Sequence, residues 1–338
     1  MYKLLCKKFI KNYKDYQNDR VRLRLISLSG LVGVLINALL FLIKISIGLL
    51  ASSQAIVGDA FNNMSDALTS FITLVGAKAS SKPADKGHPF GHGRSEYIAS
   101  FLVSIFIMFI GLILFINSIK SLYEGVIPNL SKLSILILIG SLLFKVYIYV
   151  LNKKLDKLLD SKLNYAVMLD ARNDIFSTMS IILSVIVQKY VDFNLDSILG
   201  IILALVVFKP GLDLFLDTLD KLLGRGLNPN LEKKIGDIIL SGDLIQGYHD
   251  LHMHEYGRGK LTGSCDVEVP SNISVGIMHQ AVTEVEFKLK EKLDISITIH
   301  MDPTYCLTEN EENKRIIERL RKSVKDGNKD IKYRQEKY

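Results

Sequence analysis

The sequence predicts a membrane domain of six α-helices followed by a small α+β domain. Three observations carry this. Apolar runs of about 20 residues recur between Leu25 and Leu223, hydropathy falls from Asn228 onward into short alternating elements, and basic residues crowd the stretch before the first run. With 49% hydrophobic residues and 7 prolines in 338 residues, the chain is not disordered, collagen-like or disulfide-built. Its cysteines, Cys6, Cys265 and Cys306, lie far apart without a CxxC pair. They indicate neither a disulfide framework nor a Cys-type zinc knuckle and read as cytosolic thiols. The net charge of +7 would suit nucleic acid, but much of the excess lies in MYKLLCKKFIKNYKDYQNDRVRLR, just ahead of an apolar run. That is a membrane flank, and no nucleic-acid partner is expected.

The spans are expected at Leu25 to Leu50, Ala55 to Ala77, Ile98 to Leu122, Leu133 to Leu151, Ala166 to Val187 and Leu195 to Leu216. The first is too long for a signal peptide and lacks a small-residue cleavage site, so it is read as a permanent helix. Basic residues dominate the stretch before span one, Lys82, Lys86 and Arg94 follow span two, and Lys153, Lys154, Lys157 and Lys162 follow span four. The opposite connections offer only Lys120, Lys132 and Lys189. By the positive-inside rule both termini are cytoplasmic.

Beyond the spans, a helix over Asn230 to Leu240 leads to strand-like HDLHMHEY, a turn at Gly257 and Gly259, and strand LTGSCDVEV. A helix over Ser274 to Lys292 and strand ISITIH complete an αββαβ order, which implies a small sheet with helices on one face. The charged segment after Pro303 reads as a helix fraying into disorder. The expected organisation is a basic cytoplasmic segment (1–24), the six-helix domain (25–224), a cytoplasmic domain (225–303) and a charged extension (304–338).

Span two contains Asp59, Asn62, Asn63 and Asp66, spaced i, i+3, i+4, i+7 and hence on one helical stripe. Span five has Asp170 and Asp174 one turn apart, extended by Asn173 and Ser177. A carboxylate at mid-membrane is unfavourable by about 3 kcal/mol even on the lenient scale, so these faces must meet protein, water or an ion. Two helices offering oxygens at i, i+4 can surround one small cation with about four side chains; the alternative is interhelical hydrogen bonding. In the loop KPADKGHPFGHGRSE, Pro89 and Gly91 disfavour a helix, so His88 and His92 do not form an HExxH motif. With Asp85 they either bind a borderline metal or stay solvated in an ordinary turn.

These residues resemble the cation diffusion facilitators over nearly everything from Leu25 to Pro303. The resemblance matches Asp59 and Asn63 to the ligands of the family's second helix and Asp170 and Asp174 to those of its fifth. Asn37, Leu40 and Lys44 are similar to a pattern of its first helix. The loop is the most specific match, implying a second metal held by Asp85, His88 and His92. The tail resembles the family's ferredoxin-like cytoplasmic domain, through which two subunits pair, and His249, Asp266, His279, His300 and Asp302 match its metal-binding residues. His252 and His254, expected on the strand face opposite His249, have no counterpart. One departure concerns a basic residue at the start of the third helix, here Arg94, which in some members pairs with an Asp of an LLD sequence; this chain reads LLGRG, with Gly224 in that place.

Zinc-handling members typically use a His in one intramembrane pair, whereas none of the 7 His of this chain lies in a span. The oxygen set suits harder ions, Mn²⁺ first, then Fe²⁺, with Mg²⁺ harder to desolvate. The resemblance implies a homodimeric exporter of a divalent cation, Mn²⁺ by expectation, working by proton antiport in the cell membrane, without a resident cofactor. The alternatives are a Zn²⁺ or Fe²⁺ exporter, a membrane-tethered metal sensor, and a membrane enzyme with catalytic zinc in the loop. The enzyme is disfavoured because no general base or nucleophile motif accompanies the histidines.

Overall fold

The structure, a computed structural model, describes residues 19–326 except 81, 160, 161, 189, 191, 192, 258 and 309. Most of the basic N-terminal segment expected at 1–24 lies outside the described residues. The chain divides into two compact units, Met1–Lys78 with Ile98–Thr218, and Ala79–Tyr97 with Leu219–Tyr338. The polar loop between the second and third helices, which the expected organisation includes in residues 25–224, falls in the second of these units.

In the first unit the described residues form six long helices, α1 (Asp19–Ala51), α2 (Gln54–Ser80), α3 (Ser95–Glu124), α4 (Lys132–Leu159), α5 (Lys162–Val187) and α6 (Leu195–Leu223). Each has at least 26 residues, which at about 1.5 Å per residue exceeds the roughly 30 Å of bilayer hydrocarbon. Among the described residues α1, α3, α4 and α6 are long and apolar enough to cross a membrane on composition alone. The other two, α2 and α5, carry the acidic and amide residues. Leu35, Leu39, Leu42, Leu102, Phe109 and Leu143 are among the exposed large side chains, an apolar surface that suits lipid and not water.

Inside, Ile47, Ala55, Ile56, Leu138, Ile181 and Leu203 join α1, α2, α4, α5 and α6. Val57, Ile107, Ile110, Leu114, Ala204 and Val207 join α2, α3 and α6. The α3–α6 crossing is close enough that a methyl group on Gly111 would lie 2.8 Å from Phe208 Cβ. Between α1 and α2 the chain turns at Ser52, whose φ is 56°. The Asp196 carboxylate of α6 then accepts from Gln54 N–H at 2.8 Å and from the Ser53 hydroxyl, capping α2 from a neighbouring helix.

In the second unit α7 (Pro229–Leu240), β1 (Gly247–Glu255), β2 (Leu261–Pro270), α8 (Val275–Leu293) and β3 (Ser296–Tyr305) follow the expected αββαβ order. Asn228 caps α7, with Pro229 at its start. The sheet order is β1-β2-β3; β1 and β2 are antiparallel, and β2 and β3 are parallel because α8 crosses over between them. Cys265, Val267 and Val269 of β2 and Ile297 and Ile299 of β3 are buried with Ile235, Ile239, Ala281, Val285 and Leu289 of the helices. Burial pushes the Cys265 thiol up to about 11.

Of the charged segment expected as a helix fraying into disorder, Glu311–Asp326 form α9, and residues 327–338 lie outside the described residues. Leu320 is fully buried in the domain core, and Arg319 bonds Glu284 at 2.9 Å and also Asp243. Leu320→Ala is accordingly expected to destabilise this unit by about 2–5 kcal/mol. In the full chain, Cys265 should then become accessible to thiol reagents at a lower temperature, while Val324→Ala, at a 41% exposed position, should not shift it. Equal behaviour of the two variants would show that α9 is not part of this core.

Candidate metal centre

A carboxylate on a lipid-spanning helix is tolerated when it turns inward, and α2 and α5 both do this. The polar stripe of α2 covers a sector of about 100°, because at 3.6 residues per turn positions 59 and 63 fall on one edge and 62 and 66 on the other. The two edges have different surroundings.

Asp59 and Asn63 are fully buried. Lys44 of α1, also fully buried, donates to Asp59 Oδ2 at 2.6 Å and to Thr178 Oγ1 at 3.2 Å. The Thr178 hydroxyl donates to the same carboxylate oxygen at 3.2 Å, and Asn63 Nδ2 donates to the Asp59 carbonyl at 2.7 Å. Asp59 Oδ1 and Asn63 Oδ1 are buried acceptors without a hydrogen-bond partner among the described residues.

Asn62 and Asp66 face the acids of α5. Asn62 Nδ2 donates to Asp174 Oδ1 at 2.8 Å. Asp66, Asp170 and Asp174 line one cavity of ≈ 400 Å³, together with Ser65 and Thr69 of α2, Asn37 of α1, Lys145 of α4 and Pro210 of α6. Asp174 is nearly fully buried, whereas Asp170 is exposed toward the cavity side. Lys145 forms an ion pair with Asp174 Oδ2 and donates to Asn37 Oδ1 at 2.7 Å. These contacts divide the expected set of Asp59, Asn63, Asp170 and Asp174. Asp170 and Asp174 share a cavity with Asp66 and bond to Asn62, while Asp59 and Asn63 are not part of its walls and Asp59 is held by Lys44. Lys145 was missed by sequence reasoning, although a lysine inside an apolar span is itself a functional signal.

Outside the membrane helices, the loop residues Asp85, His88 and His92 each offer a ligand atom within 4.8 Å of the others. His88 Nδ1 lies 3.5 Å from Asp85 Oδ1, and His92 Nε2 lies 3.6 Å from Asp85 Oδ2. His88 and Gly87 N–H donate to Asp85 Oδ1 at 2.7 and 2.9 Å. The His88 amide is the main reason that the Asp85 carboxyl is held below its usual range. Arg94 does not depend on the position occupied by Gly224. Its guanidinium lies 4.2 Å from the centre of the Tyr256 ring and Nε donates to the Glu255 carbonyl at 3.2 Å, while Tyr97 donates to Glu255 Oε1 at 2.7 Å. Gly93 is required at this crossing, since a methyl group there would lie 1.8 Å from the Tyr256 carbonyl oxygen.

On the open face of the sheet, His249, Asp266 and His300 are cross-strand neighbours in one row, with Glu268 and Asp302 in the next. His249 Nε2 lies 3.6 Å from Asp302 Oδ2 and Nδ1 lies 3.1 Å from Asp250 Oδ2. The Asp250 hydrogen bond raises the His249 pKa above the ordinary imidazole value. His249, Asp250 and Asp266 also offer ligand atoms within 4.8 Å of one another. His279 stands apart, exposed on α8 in the helical layer. The expectation that His252 and His254 face away from His249 is incorrect. A β-bulge lies between His249 and His252, with Asp250 at φ 50°. The extra residue reverses the alternation, so His252 pairs with Ser264 and His254 with Thr262, on the same face as the His249–Asp266 pair.

The cation efflux transmembrane domain matches residues 30–223, and the cation efflux protein cytoplasmic domain matches residues 227–304. An uncharacterised transporter of Methanocaldococcus jannaschii is 31% identical over 76% of this chain and 89% of its own length. The manganese efflux system protein MneS of Bacillus subtilis is 25% identical over 81% and 94%. The cation-efflux pump FieF of Escherichia fergusonii is 25% identical over 86% and 97%.

The buried pairing of Asp59 has a measurable consequence. Lys44→Met or Asp59→Leu alone strands one charge and is expected to destabilise the membrane unit by about 3–5 kcal/mol. The double variant should recover most of that loss in thermal unfolding in detergent. A double variant as unstable as the sum of the singles would contradict the pairing.

Proposed function

The chain belongs to the cation efflux family of membrane transporters, and on that premise we propose that it exports Mn²⁺ from the cytoplasm in exchange for protons. The transport site in this reading consists of Asn62, Asp66, Asp170 and Asp174. One observation carries it, the shared cavity of Asp66, Asp170 and Asp174 with Asn62 bonded to its innermost carboxylate. The donors are all oxygen. Hard divalent ions take such a set readily, whereas zinc gains more from an imidazole. The similarity to a manganese efflux protein agrees with this preference. Export of Zn²⁺ or Fe²⁺ is the second reading, favoured by the similarity to a cation-efflux pump and by the ability of carboxylates to bind those ions as well.

Proton exchange follows from the ligand chemistry. A protonated carboxylic acid is a poor metal ligand, so protonation on the far side of the membrane favours release. Asn62 cannot take part in this exchange, which leaves three acids to do so. In the same reading the chain is a homodimer in the cell membrane with both termini cytoplasmic, paired through its cytoplasmic domain. Asp85, His88 and His92 hold a second metal ion, and His249, Asp266, His300 and Asp302 a third. His279 can join them only from a partner subunit, given its position in the helical layer.

The test is metal uptake into proteoliposomes containing the full chain. Asp66→Ala and Asp174→Ala should each reduce Mn²⁺ flux by more than tenfold while leaving a monodisperse protein, since a desolvated ion loses a charged ligand. Unchanged flux in both would sink the site. Asp170→His should gain Zn²⁺ flux and lose Mn²⁺ flux. A wild-type protein that carries zinc and ignores manganese would overturn the hard-ligand argument.

A further inference from the structure

The Lys145 ammonium is 2% exposed and inside a membrane helix, where an unpaired cation is strongly disfavoured. Its partners are Asp174 Oδ2 on α5 and Asn37 Oδ1 on α1, and Asn62 of α2 bonds the other oxygen of the same carboxylate. A dication bound to Asp174 and an ammonium bonded to it would stand a few ångströms apart and repel by many times thermal energy in this medium. Both cannot hold the carboxylate at once. The neutral Asn37 oxygen is a site to which the ammonium can retreat without becoming unpaired.

We propose that Lys145 is a built-in competitor for the transported cation, bonded to Asp174 until a dication displaces it toward Asn37, so that it limits affinity and drives release. The inference rests on the transport-site reading given above. It accounts for a lysine in the cavity where a hydrogen-bonding amide would satisfy Asp174 at lower cost in desolvation. It also matches the charge of the site, because three carboxylates and one ammonium leave two negative charges, which one dication neutralises. A monovalent ion would leave the cavity charged. Lys44 differs in this respect, being fully buried against Asp59 and Thr178 and not lining the cavity.

The experiment is Mn²⁺ binding by calorimetry to the purified full chain carrying His88→Ala, His92→Ala, His249→Ala and His300→Ala, which removes ligands of the loop and sheet clusters, with Mn²⁺ flux in proteoliposomes. Lys145→Gln should bind at least tenfold more tightly, with a lower KM and a lower kcat, a split that general loss of packing would not produce. Lys145→Arg, which keeps the charge, should stay within about threefold of wild type. Asn37→Leu should weaken binding in the wild-type background and have no effect in the Lys145→Gln background, which separates action through the lysine from direct ligation. If Lys145→Gln binds no more tightly, or Asn37→Leu acts equally in both backgrounds, the competitor role is wrong. Should Lys145→Gln not fold, unchanged affinity in Asn37→Leu alone overturns it. Asp174→Asn is the control for the underlying reading. Its loss of binding with no effect of the other variants removes only the competitor role, whereas wild-type binding by Asp174→Asn removes the transport site itself.

Discussion

A charge carried into a low-dielectric interior must find an opposite charge or a set of hydrogen bonds, and this requirement decides which helices of the membrane unit stand next to each other. Lys44 and Asp59 tie α1 to α2, Thr178 adds α5 to the pair, and Lys145 links α4 to Asp174 of α5 and Asn37 of α1. Asn62 closes the circuit from α2 to α5. Apolar packing alone gives little direction to helices in lipid, because the lipid is as apolar as the side chains. Polar pairing supplies that direction. Lys145, Asp174 and Asn37 also line the cavity, so part of what arranges the helices also builds the cavity, while the Lys44–Asp59 pair stands outside it.

Much of this architecture was legible from hydropathy. Six spans, an αββαβ tail and a polar loop rich in ligand atoms follow from run length and alternation, signals summed over many residues. What failed depended on single residues. The stripe of Asp59, Asn62, Asn63 and Asp66 covers one sector of α2, and periodicity cannot tell which edge faces α5 and which meets Lys44. Register along β1 was misread for a similar reason. One inserted residue near Asp250 moves His252 and His254 to the other face, and a bulge of that kind leaves no trace in a hydrophobic pattern already interrupted by histidines. Lys145 was overlooked because its apolar neighbours dominate the window average, although its charge was visible. The buried face of α9 was hidden by net charge, since Ile316, Ile317 and Leu320 supply few apolar residues among many ionised ones.

The loop between α2 and α3 shows how local geometry replaces a missing partner. With glycine at position 224, Arg94 has no carboxylate there and instead places its guanidinium on Tyr256 and its Nε on a backbone carbonyl. Phe90 stacks on the same ring at 4.5 Å, and Gly93 and Gly257 let the two backbones approach within reach of these contacts. Gly257 has a φ of 120°, a conformation that side chains resist, so the turn and the loop constrain each other. Asp85, His88 and His92 are thus presented from a segment whose C-terminal end is held by these contacts.

Nitrogen and oxygen donors are separated along this chain in a way that bears on ion discrimination. Every histidine belongs to the C-terminal unit or its loop, while the intramembrane cavity offers carboxylates, an amide and hydroxyls. Affinity of mixed nitrogen and oxygen donor sets rises from manganese toward zinc, so the donor types gathered at Asp85, His88 and His92 and at His249, Asp266 and His300 would favour zinc over manganese in any ion they held. A cavity of oxygens narrows that difference without reversing it. Selection of a weakly binding ion inside the membrane therefore cannot come from donor type alone. Coordination number and ion size are what remain to discriminate, while the ammonium paired with Asp174 lowers the affinity for every divalent ion alike.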